Sequence, residues 1–370
     1  MDEILCLSKD LFKMNSIKIA FLGDIMSGGV LHRNNDDFIS DEVLNYLFSF
    51  DFRVANFECA VGDNLEYDEE KMQGKKNIIY SKEVDFDKLL IMGINVVSIA
   101  NNHICDLGEN GLNNTIRLLK ENGIKYCGAG KNIDEASEPA VISINSKNIA
   151  FLAFTYRGVA SHVATHNQAG VNPLDEKKII RDIKEAKQKF DYVFVIPHWG
   201  KEYTHFPTNE CKRLAYCMIH AGADGIVGSH SHQIQPLVRY RRKPIFFSLG
   251  NFLFPDFYMH PPRPMWYPNE NEINENIPIC YEYPYPITTP VLRVWKDISR
   301  IGMIASFTIA NTIKTEYKLS VLTKDNKVIF LKKNRKYKRR LSLISFIIKL
   351  KLYKWIWRFY CKIQRLIAIK

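Results

Sequence analysis

The chain has 370 residues, enough for one large α/β domain or two smaller ones, and its 46% hydrophobic and 25% charged residues are typical of a globular protein. Its net charge of +11 lies at one end: residues 331–370 hold 14 of the 51 Lys and Arg and none of the 40 Asp and Glu, which leaves 37 basic against 40 acidic side chains elsewhere. The sequence has no apolar run of about 18 residues, so no membrane-spanning helix is predicted. Residues 1–16 begin with acidic residues and have no long apolar core, which predicts a leader outside the fold and excludes a signal peptide.

Apolar runs and amphipathic segments alternate along the first part of the chain. Short apolar runs, the first two ending on a carboxylate, predict buried strands at 17–24, 52–58, 94–103 and 124–130. Apolar residues at helical spacing predict helices at 40–50, 86–93 and 109–123. Residues 141–154 alternate on both sides of Asn-Ser-Lys-Asn, which predicts a hairpin.

The alternation continues to residue 254. Helices are predicted at 176–190 and 209–222, and strands at 191–200, 223–230 and 243–254. Residues 255–290 are rich in Pro, Tyr, Asn and Glu and predict a long insertion or rim loop, whereas 300–331 predicts closing antiparallel strands. Strands alternating with helices predict an α/β sandwich, with residues 17–331 as one domain.

Polar side chains of metal-binding types follow the predicted strands. The residues at or just after a strand's C-terminal end are Asp24, Glu58, Asn102, His103, His198, His230 and His232. Ligands bind where the carboxyl ends of strands meet in an α/β sheet, so these residues are expected to converge. Their mixed oxygen and nitrogen atoms suit Mn²⁺, Zn²⁺ or Fe²⁺ better than Ca²⁺. Taken singly, each also has a structural explanation as a helix cap, a turn residue or a core histidine.

Five motifs occur in a specific order: Gly-Asp, Asn-x-Glu, Asn-Asn-His-x-x-Asp-x-Gly, His-x-Gly-x-Glu and Gly-x-His-x-His. They lie in FLGDIMSGG (21–29), ANFECAV (55–61), SIANNHICDLGENGL (98–112) and the long segment 198–236, and FFSLGNFLF (246–254) follows. This order resembles the bacterial capsule-synthesis CapA family of poly-γ-glutamate capsule formation, in the calcineurin-like metallophosphoesterase superfamily. The resemblance covers residues 17–254 and, more weakly, 291–330. It implies a four-layer α/β/β/α metallophosphoesterase-like sandwich with one or two divalent metal ions at one edge of its paired sheets.

The resemblance also implies roles for individual residues. Asp24 would bind the first metal, Asn102 and His198 the second, and His230 and His232 would complete the pair, with Glu58 in place of the superfamily's bridging Asp. His103 would protonate the leaving group or stabilise its charge, and Asp106 would orient His103. Glu202 and Asn251 would frame the substrate pocket. The chain departs from the superfamily at Met26, where a ligand histidine is usual. His32 is a candidate substitute, and a surface residue is the alternative for it.

Two functions remain open on this evidence. The first is a metal-dependent hydrolase or transferase of capsule or surface-polysaccharide synthesis, in which a metal-activated water attacks phosphorus or an acyl carbon and His103 protonates the leaving oxygen. The second is a non-catalytic assembly protein that binds the polymer on the same fold. The retained histidines favour the enzyme, and Met26 keeps the alternative open. The expected partner is an anionic capsule polymer or its precursor.

The basic tail, residues 332–370, predicts an amphipathic helix or a broken pair of helices. One apolar face is predicted from Ile344, Ile348, Leu352, Trp355, Phe359, Ile363 and Leu366, flanked by Lys351, Lys354, Arg358 and Arg365. Such a face indicates binding to an anionic membrane surface; a helix packed on the domain is the alternative, and nucleic-acid binding is least favoured. The eight cysteines indicate no disulfide framework, so the chain is expected in the cytoplasm. With the tail on an anionic surface, its expected position there is peripheral, on the inner face of the membrane.

Overall fold

The computed structural model describes residues 16–63, 75, 77–156, 162–262, 264–273, 276–281 and 287–368, with the side chains of 364–368 excepted. The predicted leader therefore lies outside the described residues except at Ser16, as do the side chains of Arg365 and Leu366.

The strands of these residues are numbered in chain order. They are β1 (Ile17–Ile25), β2 (Phe52–Phe57), β3 (Ala60–Val61), β4 (Tyr80–Ser81), β5 (Val96–Ser98), β6 (Lys125–Cys127), β7 (Ala129–Gly130), β8 (Ala140–Ile144), β9 (Lys147–Thr155), β10 (Gly170–Val171), β11 (Tyr192–His198), β12 (Gly225–Val227), β13 (Leu237–Tyr240), β14 (Lys243–Phe246), β15 (Asn251–Leu253), β16 (Phe257–Met259), β17 (Met265–Trp266), β18 (Ile279–Cys280), β19 (Val291–Arg293), β20 (Ile301–Ile309), β21 (Ile313–Leu322) and β22 (Val328–Phe330).

The α-helices are α1 (Asp41–Phe48), α2 (Asp87–Ile91), α3 (Gly108–Glu121), α4 (Ile133–Ser137), α5 (Glu176–Lys189), α6 (Asn209–Ala221), α7 (Arg335–Lys349) and α8 (Tyr353–Ala368). Several begin where their sequence predicts. The side chains of Ser40, Asp175 and Thr208 accept a hydrogen bond from a backbone N–H in the first turn of α1, α5 and α6.

Two large sheets form the centre of the molecule. The first has the order β22-β21-β20-β1-β2-β5-β6, with β15 also paired to β1, and the second has the order β13-β14-β12-β11-β9-β8. The neighbours β1, β2, β5 and β6 run parallel, as do β9, β11, β12 and β14. The carboxyl ends of several strands therefore meet at one edge in each sheet.

The apolar core has three layers. Phe21, Phe151, Phe194 and Phe307 pack between the two sheets, with ring centroids as close as 4.9 Å. A second layer packs α1 to α3 on the outer side of the first sheet, and a third packs α5 and α6 on the outer side of the second sheet. The predicted four-layer α/β/β/α sandwich is confirmed.

The predicted strand 243–254 is two strands in different sheets. β14 belongs to the second sheet and β15 pairs with β1 of the first, in register Asp24 to Asn251. Gly250 makes the bend with φ +67°, a conformation that glycine adopts without strain. Opposite it, a Cβ on Gly23 would stand 1.9 Å from the Gly250 carbonyl oxygen. The two glycines let the backbones of Asp24 and Asn251 lie side by side.

Two further segments differ from their predictions. Part of the predicted insertion 255–290 forms β16, β17 and β18, which join β19 in a four-stranded sheet of order β17-β16-β19-β18. The tail breaks at Leu350, whose backbone is extended. Ile344 and Ile348 are buried against the sandwich while Trp355 and Phe359 are exposed, so the predicted single apolar face is wrong.

We predict that Gly23→Ala lowers the free energy of unfolding by about 1–3 kcal/mol, because the new methyl group overlaps a backbone oxygen that cannot move without shifting β15. Chemical denaturation of both proteins measures the change. Gly123→Ala is the control: Gly123 has φ +69° but nothing within 4 Å of its added Cβ, so only backbone strain of about 1 kcal/mol applies. A smaller loss at Gly23 than at Gly123 would contradict the close approach.

Candidate metal centre

The side chains predicted as ligands converge at one edge of the two sheets. Asp24 lies near the end of β1, Glu58 follows β2, and His198 ends β11. His230 and His232 lie in the loop after β12, and Asn102 lies in the turn after β5. Each sheet therefore contributes ligands, and the parallel strands deliver them at their carboxyl ends.

The acidic and histidine side chains form two groups that share one carboxylate. Glu58, His198 and His230 bring their ligand atoms within 4.8 Å of one another, and Asp24, Glu58 and His232 do the same. The amide oxygen of Asn102 is 2.8 Å from His198 Nε2, which adds an oxygen to the first of these groups. Glu58 thus lies where one carboxylate would bridge two ions.

Two buried oxygen atoms show that the donor set fits a cation. Asp24 and Glu58 have no exposed surface, and within the described structure Asp24 Oδ2 and Glu58 Oε1 accept no hydrogen bond. A buried carboxylate oxygen without a donor is unfavourable unless a proton or a cation neutralises it. Oxygen and imidazole nitrogen together are typical ligands of a divalent metal.

The His-x-His motif reaches the cluster through strained backbone. The predicted strand 223–230 ends at Val227, and His230 and His232 have φ of +86° and +50°. Such angles cost about 1–3 kcal/mol for a residue other than glycine, so the surrounding packing must hold them. His230 Nδ1 lies 3.0 Å from His198 Nε2, and His232 lies between the two carboxylates, 3.7 Å from Asp24 Oδ2 and 3.8 Å from Glu58 Oε1.

Neighbouring polar groups hold these ligands in place. Asn56 was not among the predicted site residues, yet its buried amide donates to Asp24 Oδ1 at 2.9 Å and to Glu58 Oε2 at 3.2 Å. Its spacing two residues before Glu58, on the same side of a strand, was the available signal. Ser229 Oγ contacts His198 Nδ1 at 2.9 Å, which leaves Nε2 on the side of Asn102 and His230.

Asn251, expected beside a substrate, is 1% exposed and contacts another predicted ligand. Its amide oxygen lies 2.9 Å from His232 Nδ1, and its amide nitrogen donates to the Ser299 carbonyl at 3.1 Å. The pairing of β15 with β1 brings it beside Asp24. These contacts orient the His232 ring, so the role that they support for Asn251 is positioning.

His103 and Asp106 form a buried pair next to the cluster. His103 Nδ1 lies 2.8 Å from Asp106 Oδ2, which also accepts the Ile79 N–H, and the Lys75 ammonium pairs with the other Asp106 oxygen. Burial alone would raise the pKa of Asp106, but Lys75 and His103 outweigh it and hold the pKa below its ordinary value. Lys75 was not predicted, and no sequence pattern around it indicates the contact.

Glu202, Met26 and His32 differ in their relation to the cluster. Burial lowers the pKa of His103, His230 and His232, and the negative charge of the Glu202 carboxylate opposes this lowering in all three, which locates that charge near the cluster. Met26 is buried and its sulfur accepts from the Gly28 N–H at 3.2 Å. His32 contacts Asp85 at 2.9 Å and belongs to neither ligand group, so it does not replace the missing histidine.

Burial shifts the protonation of the cluster. It raises the pKa of Asp24 to about 7 and that of Glu58 well above its ordinary value, with the Asp24 charge adding to the second shift. It lowers the pKa of His232 to about 4 and that of His198 well below its ordinary value. At neutral pH the imidazoles are therefore neutral and able to bind metal, whereas the carboxyl groups compete for protons.

Comparisons with known proteins agree with the motif order. The model of the family described as "Bacterial capsule synthesis protein PGA_cap" matches residues 18–256. The capsule biosynthesis protein CapA of Bacillus anthracis is 34% identical over 247 residues, which are 64% of this chain and 60% of that protein. The PGA biosynthesis protein CapA of Bacillus subtilis (strain 168) is 33% identical over 241 residues, covering 64% and 63%. The chain thus spans about six tenths of the length of these curated relatives.

Among solved structures, the calcineurin-like phosphoesterase YfkN from Bacillus subtilis is similar, with 12% sequence identity and a TM-score of 0.43. That comparison covers 91% of this chain and 99% of the other.

We predict that the metal-free protein binds Mn²⁺ or Zn²⁺ more tightly as the pH rises through about 7, by up to about tenfold per pH unit for each proton displaced, because the cation must displace protons from Asp24 and Glu58. Calorimetric titration measures the affinity. Glu121→Gln, which changes an exposed carboxylate on α3, should keep this dependence, and Glu58→Gln should weaken it.

The same shifts predict how stability depends on pH. A raised carboxyl pKa stabilises the fold at low pH, and this contribution is lost as the pH rises through the folded-state value. The lowered imidazole pKa values have the opposite effect, because they make stability rise with pH. This effect ends at the pKa of an unfolded histidine, about 6.5. Above about pH 6.5 the metal-free protein should therefore lose stability, and the metal-loaded protein should not. Thermal denaturation with and without a chelator checks this, and parallel pH curves would contradict it.

Proposed function

The chain belongs to the bacterial capsule synthesis protein family PGA_cap, and from this membership and the paired ligand groups we propose that it is a metal-dependent hydrolase or transferase of capsule biosynthesis. The substrate we propose is an anionic capsule polymer of the poly-γ-glutamate type, or its precursor. The observation that carries the proposal is the sharing of the buried Glu58 carboxylate between two groups of ligand-type side chains, in which only His230 is partly exposed.

The ligand atoms favour particular ions. Glu58, Asn102, His198 and His230 would hold one ion, and Asp24, Glu58 and His232 the other. Three imidazoles among these ligands favour Mn²⁺, Zn²⁺ or Fe²⁺ over Ca²⁺, which prefers oxygen alone. A divalent cation at this position supplies Lewis-acid polarisation of a phosphoryl or acyl oxygen and makes water more acidic.

The charge of the cluster decides how many ions an anionic substrate requires. Asp24, Glu58 and Glu202 contribute three negative charges when ionised, and the histidines are neutral at pH 7. One divalent ion leaves this total negative, whereas two make it positive. We therefore expect an anionic polymer to bind only when both groups are filled, since a like-charged site repels it.

His103 is the residue proposed for proton transfer. Its pKa is lowered by burial, against the opposing charges of Asp106 and Glu202, so at neutral pH it rests as a proton acceptor. Asp106 takes the N–H of Nδ1, which leaves Nε2 to exchange a proton. In this proposal His103 accepts a proton from the attacking water and then donates it to the leaving oxygen.

Met26 favours a second candidate, the non-catalytic polymer-binding protein. A buried thioether stands where the resemblance expects a ligand histidine, and it hydrogen-bonds locally. The group of Asp24, Glu58 and His232 therefore has one potential protein ligand fewer. A weak ion at this group would suit reversible polymer binding without turnover.

Metal analysis followed by a substrate screen tests the proposal. Purified protein is loaded with Mn²⁺ or Zn²⁺, its metal content per chain is measured, and phosphodiester and γ-glutamyl substrates are then assayed. Two ions and turnover support the enzyme. Polymer binding without turnover at full metal loading supports the second candidate, and failure to bind any divalent ion would end both.

We predict that His230→Ala lowers metal content to about one ion per chain or less, because it removes a ligand from one group. His103→Ala should keep the metal and lower any turnover roughly 10²–10⁴-fold, the usual contribution of a proton-transfer residue. His220→Ala, at an exposed histidine of α6, is the control and should change neither quantity. Equal metal loss in the first two variants would show that His103 is a ligand.

A further inference from the structure

The two tail helices are attached to the domain by one side only. Leu341, Ile344 and Ile348 of α7 are buried in the core, and Ser345 Oγ donates to the Leu237 carbonyl at 2.9 Å. In α8, Tyr353 is 1% exposed and donates its hydroxyl hydrogen to the Pro207 carbonyl. Both helices are thus held in a defined orientation on the sandwich.

The other sides of α8, together with Leu352 directly before it, carry two stripes, which we call the tail face. The apolar stripe is Leu352, Trp355, Phe359 and Ile363, and the basic stripe is Lys354, Arg358 and Lys362. The apolar stripe has the three- and four-residue spacing of one helix side, and the basic stripe has a spacing of four. The stripes lie on adjacent sides, about 100° apart, because each basic residue is one position from an apolar one. Trp355 and Phe359 are 65% and 66% exposed, although apolar residues of this size are normally buried.

We propose that the tail face binds the surface of an anionic lipid membrane, with α8 lying in the interface. Apolar and aromatic side chains would enter the boundary between headgroups and acyl chains while Lys354, Arg358 and Lys362 contact lipid phosphates. Residues 331–370 have no acidic residue, whereas the rest of the chain has a slight excess of acid, so the net positive charge that would attract an anionic surface lies at this end. No helix among the described residues is long and apolar enough to cross a bilayer.

Two other possible partners of the tail face, nucleic acid and a second copy of the chain, fit less well. Nucleic acid would pair with the basic stripe but leave the four apolar side chains in water. A second copy of the chain would cover the apolar stripe but bring two basic stripes together, and like charges in contact oppose association. An anionic bilayer satisfies both stripes at once.

This binding would also hold the metal cluster near the membrane. α8 packs on the segment that follows Glu202: the Phe206 and Tyr360 rings are 4.9 Å apart, and Tyr353 bonds to Pro207. Four residues lie between Glu202 and Pro207, so five steps of the chain join them and their Cα atoms are at most about 18 Å apart. The inference does not depend on whether the cluster is catalytic.

Sedimentation with vesicles tests the proposal on the full chain. Vesicles of equimolar phosphatidylglycerol and phosphatidylcholine should bind the protein at low salt and release part of it at high salt, and phosphatidylcholine alone should bind it weakly. The triple variant K354Q/R358Q/K362Q should bind the anionic vesicles about a hundredfold more weakly at low salt, at roughly fivefold for each cation. Its control, K177Q/K184Q/K189Q, removes three exposed charges from α5 and should bind as the unmodified chain does.

The apolar stripe is tested separately. W355S/F359S should lower binding at least about tenfold at any salt concentration, whereas Ile279→Ser, at another exposed apolar residue, should not. The metal content of every variant should match the unmodified chain, which separates a failure here from a failure at the cluster. Equal binding to neutral and anionic vesicles, insensitivity to both tail variants, binding of a DNA duplex in place of vesicles, or a dimer that W355S/F359S dissociates would each overturn the proposal.

Discussion

The burial of two acidic side chains is the constraint on which this site depends. Asp24 and Glu58 have no exposed surface, and each keeps an oxygen that no donor of the described structure reaches. An ionised carboxylate in such surroundings costs several kcal/mol unless it is paired, so the cluster must hold either protons or cations. The neutral imidazoles around it accept cations and not additional protons, because burial has lowered their pKa values. The same burial therefore makes the empty, ionised site less favourable than one that holds protons or a cation.

The backbone is strained or closely packed where it serves this cluster. Gly23 and Gly250 allow β15 to approach β1, and this contact puts Asn251 within reach of His232. His230 and His232 both adopt left-handed φ angles that ordinary residues avoid. The two histidines lie in the loop after β12 and not in a regular strand, and this conformation places one imidazole in each of the two ligand groups. The strained backbone lowers stability locally, and packing in the three-layered core compensates for it.

The tail shows how one basic segment can be both structural and available for binding. Its break at Leu350 turns α8 relative to α7, so that buried and exposed apolar residues no longer form one stripe. The buried side joins the core beside β13 and α6, near the segment that carries Glu202. The exposed side keeps its aromatic and basic residues together. An orientation at a surface could in this way be set by the same helices that complete the domain.

Local patterns in the sequence determined that ligand-type residues follow the ends of strands, that helices begin after Ser40, Asp175 and Thr208, and that positive charge is concentrated in the tail. Each of these features depends on neighbours along the chain. Motif order, through family resemblance, predicted the sandwich and the ligand-type residues that the structure brings together. Only the tertiary structure decided that residues 243–254 cross between sheets, that Asn56 and Lys75 support the cluster, that Asn251 contacts His232, and which side of each tail helix is buried. These contacts join residues distant in sequence, and no periodicity along the chain records which surfaces will meet.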